Sequence, residues 1–317
     1  MKLNLIRDIL IAAAIISVAA TITTAKEIND NVGTSSFNFL KINVGARAVA
    51  MGGAFTGLAD DASALYYNPA GITNFEKTNL IAGYHNYFTD IQSGFLGYIR
   101  PNEEKGYALG WYISYLNYGT MIKTDISGNE LGEFGGGDLL AAMTFAKKIG
   151  YDFSYGATVK FIYEKIDKYS ATGIAFDLGV RLSKLRDRLS FGLAVQNLGT
   201  QLSSLGEEKE KLPLTFRGGA AFQPRELPLK LTGDLIIPVD NNPVFALGTE
   251  YFELKPLYLR FGWNSFGSNY RTVDSEDSWA GLSVGAGFDY KNLQISYAFA
   301  LGAELGDSHR ITLTKGM

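Results

Sequence analysis

The chain contains no cysteine. Disulfides, thiolate nucleophiles and zinc–thiolate centres are therefore excluded, and the composition fits an oxidising compartment without requiring one. Histidine occurs only at 85 and 309, which leaves little imidazole chemistry. Basic residues hold no surplus: Lys+Arg number 29 against 32 Asp+Glu, a formal net charge of −3. The electrostatic footprint of a nucleic-acid binder is absent. Proline is scarce, at 8. Beyond the first two dozen residues glycine, charge or alternation interrupts every apolar stretch, so no transmembrane helix is expected. What is abundant is glycine (36), tyrosine (18) and phenylalanine (20), with 46% hydrophobic residues. Glycine and aromatics with little proline favour strands that bend and pack closely.

The N-terminus has the layout of a secretory signal. Lys2 and Arg7 supply positive charge, and Ile9 to Ala20 is apolar apart from Ser17. Thr23-Thr24-Ala25 offers small residues before a cut, so that residues 1–25 form the expected signal peptide and Lys26 begins the mature chain. The apolar run is short for a membrane-spanning helix, which needs about 20 residues.

From Thr78 onward the hydrophobic period is two. Tyr151, Phe153, Tyr155, Ala157, Val159, Phe161 and Tyr163 alternate with Asp152, Ser154, Gly156, Thr158 and Lys160. Ile174, Phe176, Leu178, Val180 and Leu182 alternate with Gly173, Asp177, Gly179 and Arg181, and Leu293 to Leu301 repeats the pattern. The same parity test marks strands throughout residues 77–317, about fourteen in all. Large apolar residues on one face with small or polar ones on the other, plus an even strand number, define a transmembrane antiparallel β-barrel. A soluble sandwich would carry its charge on the solvated face. Here that face is largely Gly, Ala and Ser, and charge collects in stretches such as Glu207 to Lys211. Counting from Thr78, the long connections 117–137, 199–212 and 265–278 fall on one side and short turns on the other. That asymmetry is expected of an outer-membrane barrel.

Residues 37–76 differ. Phe37 to Asn74 is rich in Ala and Gly, reads as short helical turns, and ends in the turn signal Asn68-Pro69-Ala70-Gly71. Asp60-Asp61 is expected to cap a short helix through Ala62 to Tyr67, with an ionic cluster around Arg47 as the alternative. Gly52-Gly53 lacks the strand–loop–helix context of a nucleotide loop and is read as a point of close backbone packing.

Several of these stretches resemble a known family. Phe39-Leu40-Lys41-Ile42, Gly45-Ala46-Arg47-Ala48, Met51-Gly52-Gly53-Ala54-Phe55 and Ala59-Asp60-Asp61-Ala62 through Asn68-Pro69-Ala70-Gly71 are similar to the N-terminal signature of the PorV/PorQ family, within the wider FadL-like outer-membrane barrels. Val195-Gln196-Asn197-Leu198-Gly199 and the ending Ser308-His309-Arg310-Ile311-Thr312-Leu313 look like strands of the same group. The resemblance implies a fourteen-stranded barrel with residues 26–76 as a hatch inside it. The chain departs from many such barrels by ending Lys315-Gly316-Met317 rather than on an aromatic residue.

Inward parity places Asp152, Lys160, Asp177, Arg181, Arg217, Lys230, Asp234 and Arg260 in the lumen, either lining a polar path or, as the commoner arrangement for ionised groups, pairing in a network that holds the hatch. Phe88, Tyr112, Tyr118, Phe134 and Phe266 are candidates for an apolar entrance. An enzyme is not expected: Ser308 is adjacent to His309 and so faces the other way, leaving only Ser93 beside His85. No cofactor is expected. Asp274, Glu276 and Asp277 offer at most a weak Ca²⁺ loop. The PorV/PorQ likeness implies an accessory or scaffold role in type IX protein secretion, with machinery proteins or exported clients as partners. The alternative is a FadL-like transporter of hydrophobic small molecules such as long-chain fatty acids. In both readings the barrel sits in outer-membrane lipid.

Overall fold

The computed structural model describes residues 29–87, 90–185, 188–270, 279–302 and 306–317. The expected signal peptide, Phe88 and the acidic loop Asp274, Glu276 and Asp277 lie outside them. Fourteen strands form: β1 (Asn79–Asn86), β2 (Gln92–Asn102), β3 (Tyr107–Thr124), β4 (Glu130–Ile149), β5 (Phe153–Ile166), β6 (Tyr169–Lys184), β7 (Leu189–Ser203), β8 (Thr215–Phe222), β9 (Leu229–Pro238), β10 (Val244–Tyr251), β11 (Leu257–Asn264), β12 (Leu282–Tyr290), β13 (Leu293–Ala300) and β14 (Ser308–Gly316). Each pairs antiparallel with its neighbour in sequence, and β1 closes on β14 from Asn79↔Gly316 to Asn86↔His309. The result is a closed antiparallel barrel.

Burial runs inside-out relative to a water-soluble protein. In β5, Ser154, Thr158, Lys160 and Ile162 are buried, while Phe153, Tyr155, Val159, Phe161 and Tyr163 are exposed. A wall that faces hydrocarbon requires this arrangement. Exposed aromatics gather near both ends of the strands, with Tyr84, Tyr115 and Tyr163 toward one rim and Phe145, Phe153, Tyr155 and Tyr290 toward the other. These are the girdles expected at the two membrane interfaces. Among the described residues no helix is long and apolar enough to cross a membrane; the crossing elements are strands.

The wall is uneven. Strands β3 to β7 have 14 to 20 residues each, whereas β8 to β14 have 8 to 10. This corrects the expected loop over 117–137. Its glycines do not break the strands; they are absorbed as a register shift between Asn117 and Thr120 and as the positive-φ residues Gly119 and Gly132. The ribbon continues to Thr124 and restarts at Glu130. Likewise β7 runs on to Ser203, into the expected loop 199–212. Asp152 is a second correction. It lies in the turn after Gly150 (φ 64°) rather than on a strand, and it makes an exposed ion pair with Lys184 at 2.5 Å.

Residues 35–74 pack against inward faces on opposite sides of the closed barrel. They contain the short helices α1 (Ala46–Ala50) and α2 (Ala64–Tyr67) and 3-10 turns at Asn38–Lys41 and Pro69–Asn74. The turn Pro69–Asn74 lies against β3 to β6, and α1 lies against β11 to β14. Ala48, Met51, Phe55, Leu65, Tyr67 and Ile72 are buried in the main core cluster. The wall admits this backbone because it presents glycine where contact occurs. A Cβ at Gly156 would stand 2.6 Å from the Pro69 carbonyl carbon, and one at Gly248 would stand 2.5 Å from the Met51 oxygen. At Gly52, φ is 68° and a Cβ would meet the Trp263 oxygen at 2.6 Å, so both conformation and space require glycine.

Candidate functional site

Charges on β9 to β11 meet charges on the N-terminal segment. Arg47, on α1, donates from Nε and Nη2 to the two Glu250 oxygens at 2.7 and 2.8 Å, a bidentate pair. Its Nη1 donates to Asp60 at 2.5 Å and to Asp61 at 3.2 Å. Lys230 reaches Asp60 from β9 at 2.7 Å, and Arg260 donates to Glu250 from β11 at 2.7 Å. Burial pushes the Asp60 carboxyl up, but Arg47 and Lys230 together outweigh that and hold it well below the ordinary carboxylate range. The expected helix-capping role is thus mostly replaced. Asp60 pairs with cations, and only Asp61 accepts a backbone N–H, from Ser63 at 2.8 Å, ahead of α2. The helix α2 itself has no side-chain cap bond.

The remaining inward charges make specific contacts. Asp234 accepts the backbone N–H groups of Phe55 and Thr56 at 3.1 and 2.9 Å. Arg217 donates to Thr56 Oγ1 and the Gly53 oxygen. Arg181 donates to the Gly57 oxygen and to Asn74. Lys160 and Asp177 form a fully buried pair at 2.6 Å, closed by Asn197, whose φ of 62° aims its N–H at Asp177. Asn68 accepts from the Ala70 N–H and donates to the Thr56 and Val180 oxygens, and Pro69 opens the 3-10 turn that follows. Gly71 packs against Ala59. The sequence alone does not single out Glu250, and it marks Gln196 as part of a strand without a role. Gln196 donates to the Tyr66 oxygen at 2.5 Å. Both sit at inward parity of their strands, and that parity is the signal that marks them.

The segment separates two kinds of space. On the long-loop side a cavity of about 300 Å³ is lined by Leu40, Ile42 and Val49 of the segment, by Val244 and Leu282 of the wall and by Phe266 of the 3-10 turn after β11, with Tyr66, Arg217 and Arg310 also reaching it. The Tyr66 hydroxyl donates to the Leu40 oxygen, and burial pushes its pKa up to about 12, so it stays protonated. On the short-turn side lie cavities of about 580 and 490 Å³ that share Asp60, Phe75, Gln223 and Lys230. One side is chiefly apolar and the other charged. The rule that long loops face outward makes the apolar cavity the external one.

The expected entrance aromatics do not converge. Of the four among the described residues, Phe266 alone lines the outer cavity. Tyr112 is fully buried against Phe95, with centroids 5.3 Å apart. Tyr118 donates to Asp138 at 2.6 Å. Phe134 stands opposite Met121 on the β3–β4 ribbon. Residues sharing inward parity can still lie at different heights and on different walls. His85 and Ser93 do meet, 3.2 Å apart, as cross-strand neighbours. The recess they line is about 30 Å³, room for roughly one water.

Several known proteins share this architecture. The toluene transporter TodX of Pseudomonas putida superposes with a TM-score of 0.61 at 15% identity, covering 86% of this chain and 96% of that one. A FadL homologue of Pseudomonas aeruginosa gives 0.55 at 14%, covering 92% and 99%. At such identities the likeness is one of fold: a FadL-like barrel of the outer-membrane type. In sequence, a UPF0164 protein of Treponema pallidum (strain Nichols) is 24% identical over 241 residues, 69% of this chain and 56% of the relative. The chain spans about half the length of the curated relatives it matches. The model of the uncharacterised protein family UPF0164 matches residues 11–203, more than half of the chain, and the protein belongs to that family.

Proposed function

We propose that the protein is an exported outer-membrane channel for small hydrophobic molecules, with residues 26–76 acting as the hatch between an external binding cavity and the periplasm. The single observation that carries this reading is the apolar cavity on the long-loop side, closed beneath by the N-terminal segment. At about 300 Å³ it falls at the small end of ligand sites, and the polar groups among its lining (Arg217, Arg310 and Asn197 among them) would orient a ligand against its apolar surface. The architecture is shared with proteins described as a toluene transporter and a FadL homologue. These neighbours favour transport over the accessory role in type IX secretion implied by the PorV/PorQ likeness.

The test is uptake of radiolabelled toluene and of a radiolabelled fatty acid by bacteria whose outer membrane otherwise admits them slowly. Cells producing the protein should take up at least one of them several-fold faster. Phe266→Glu and Val244→Trp, which charge and fill the cavity, should abolish the gain while the barrel still folds. Equal uptake by cells with and without the folded protein would defeat the proposal.

A further inference from the structure

The inward Gly156, Gly192, Gly248 and Gly262 are accounted for by the backbone they touch, and Gly97, Gly110 and Gly173 by buried side chains. A second set faces the other way. Where β7 to β10 run side by side, the outward positions of the two central strands are Gly218 and Ala220 on β8 and Gly233 on β9. They floor a groove of about 650 Å³ on the membrane face, bounded by Phe191 and Leu193 on β7 and by Leu235 and Leu247 on β9 and β10. Glycine inside a strand costs stability and commonly marks a place where a ligand or another backbone comes close. A Cβ on Gly218 would meet only the tip of Leu193, at 3.3 Å, so no protein backbone explains this glycine.

The floor is also backed from inside. Directly behind it the inward Gly192 and Gly219 press on Thr56 and Gly57, and Asp234 and Arg217 fix that loop from below. The hydrogen-bond ladder across β7, β8 and β9 is continuous, so the groove is a surface depression and not an opening. It is therefore preformed, and binding there need not order the wall.

We infer that this groove is a binding site for the acyl chain of a membrane lipid. It is continuous with the exposed hydrophobic belt that Phe216, Leu193 and Ile237 carry on the same strands, the face already turned to lipid. Outward parity supplies apolar side chains and glycine at this place, so water or a polar peptide would leave its hydrogen-bonding groups unmet. The volume falls within the about 300–1,000 Å³ typical of small-molecule sites. Chains elsewhere on the wall slide over protruding side chains; a chain here sits between two ridges and is held longer.

The test uses the full chain in nanodiscs of phosphatidylethanolamine with saturated chains, released gently into the gas phase for native mass spectrometry. Wild-type protein should retain one lipid more than Gly218→Phe and Gly233→Phe, each of which fills the groove from its floor. Ala82→Phe adds the same ring to the outward face of β1 and should retain the wild-type number. All four proteins must show the heat-modifiable mobility of a folded barrel. If Gly218→Phe fails to fold, Leu193→Ala and Leu235→Ala, which lower the ridges without crowding the strands, should lose the lipid instead. An unchanged lipid number in folded groove variants overturns the inference. So does a wild-type dimer that the groove variants convert to monomer, which would make the face an interface between copies. Neither result depends on whether the outer cavity transports anything.

Discussion

Two walls hold the N-terminal segment; both admit its backbone at glycine, and the short wall adds buried ion pairs to it. The tall wall, β3 to β7, meets Leu65, Pro69 and Ile72 with glycine and buried apolar side chains; the turn Pro69–Asn74 lies close enough that Gly156 and Gly179 have no room for a Cβ. The short wall, β9 to β11, meets Arg47 and Asp60 with Glu250, Lys230 and Arg260. Close packing is non-directional and tolerates little extra volume. Buried ion pairs are directional and tolerate little loss of a partner. The difference teaches where each wall is vulnerable: both to added atoms at their contact glycines, the short side also to removed charge.

The largest expected effect is on the short side. Arg47→Ala removes the bidentate partner of Glu250, leaving it Arg260 and the more distant Lys230 at 4.0 Å, and leaves Asp60 with Lys230. Breaking a buried pair in this way costs about 3–5 kcal/mol. Hydrogen–deuterium exchange of residues 46–61 in the folded barrel should rise accordingly, while strand amides stay protected. Unchanged exchange there would show that packing alone retains the segment. Next in size, Gly179→Val drives a branched side chain into Asn68 and Pro69, and overpacking of this kind costs about 1–3 kcal/mol. Its exchange effect should centre on residues 66–74. If it loosened 46–61 as much as Arg47→Ala does, the two walls would act as one unit and the distinction would fall.

A smaller effect comes from pH. The Asp60 pKa is depressed in the folded protein, so its contribution to stability is fully present above the ordinary carboxylate pKa and is lost as pH falls toward the lower folded value. Taken relative to the intrinsic amide rate at each pH, exchange of residues 46–61 should therefore be flat from neutrality to about pH 5 and rise only under stronger acid. Asp60→Asn should reduce that acid sensitivity to the part carried by Glu250, the other carboxylate on Arg47. A rise centred near pH 6 would mean that some other group controls the segment.

How much of this was legible in the sequence follows from the same division. Strand alternation is a local signal, so all fourteen strands were readable, as was the separate character of residues 37–76. The Arg47–Glu250 pair spans 203 residues, and only its parity, not its partner, is written locally. The tall ribbon was unreadable for the opposite reason. Gly132, Gly135, Gly136 and Gly137 carry no side-chain alternation, yet their backbone bonds pair with β3 and β5 all the same. The outer cavity draws on Leu40, Val49, Val244 and Leu282, which look in sequence like ordinary core residues.

Asp152 offers the smallest and sharpest test of that reading. By parity it belongs with Ser154, Thr158 and Lys160 on the inner face. In the structure the chain has not yet entered β5, and Asp152 meets Lys184 in the open at a turn, with both side chains about half exposed. Exposed pairs contribute about 0–1 kcal/mol and are screened by salt. Asp152→Asn should therefore leave the melting of the barrel within error of wild type at moderate salt. A lumenal Asp152 would behave like Asp177, whose loss strands a buried Lys160 and costs several-fold more. A strong destabilisation by Asp152→Asn would move the start of β5 back by a residue or more and return Asp152 to the lumen; a silent variant fixes the turn where the structure has it.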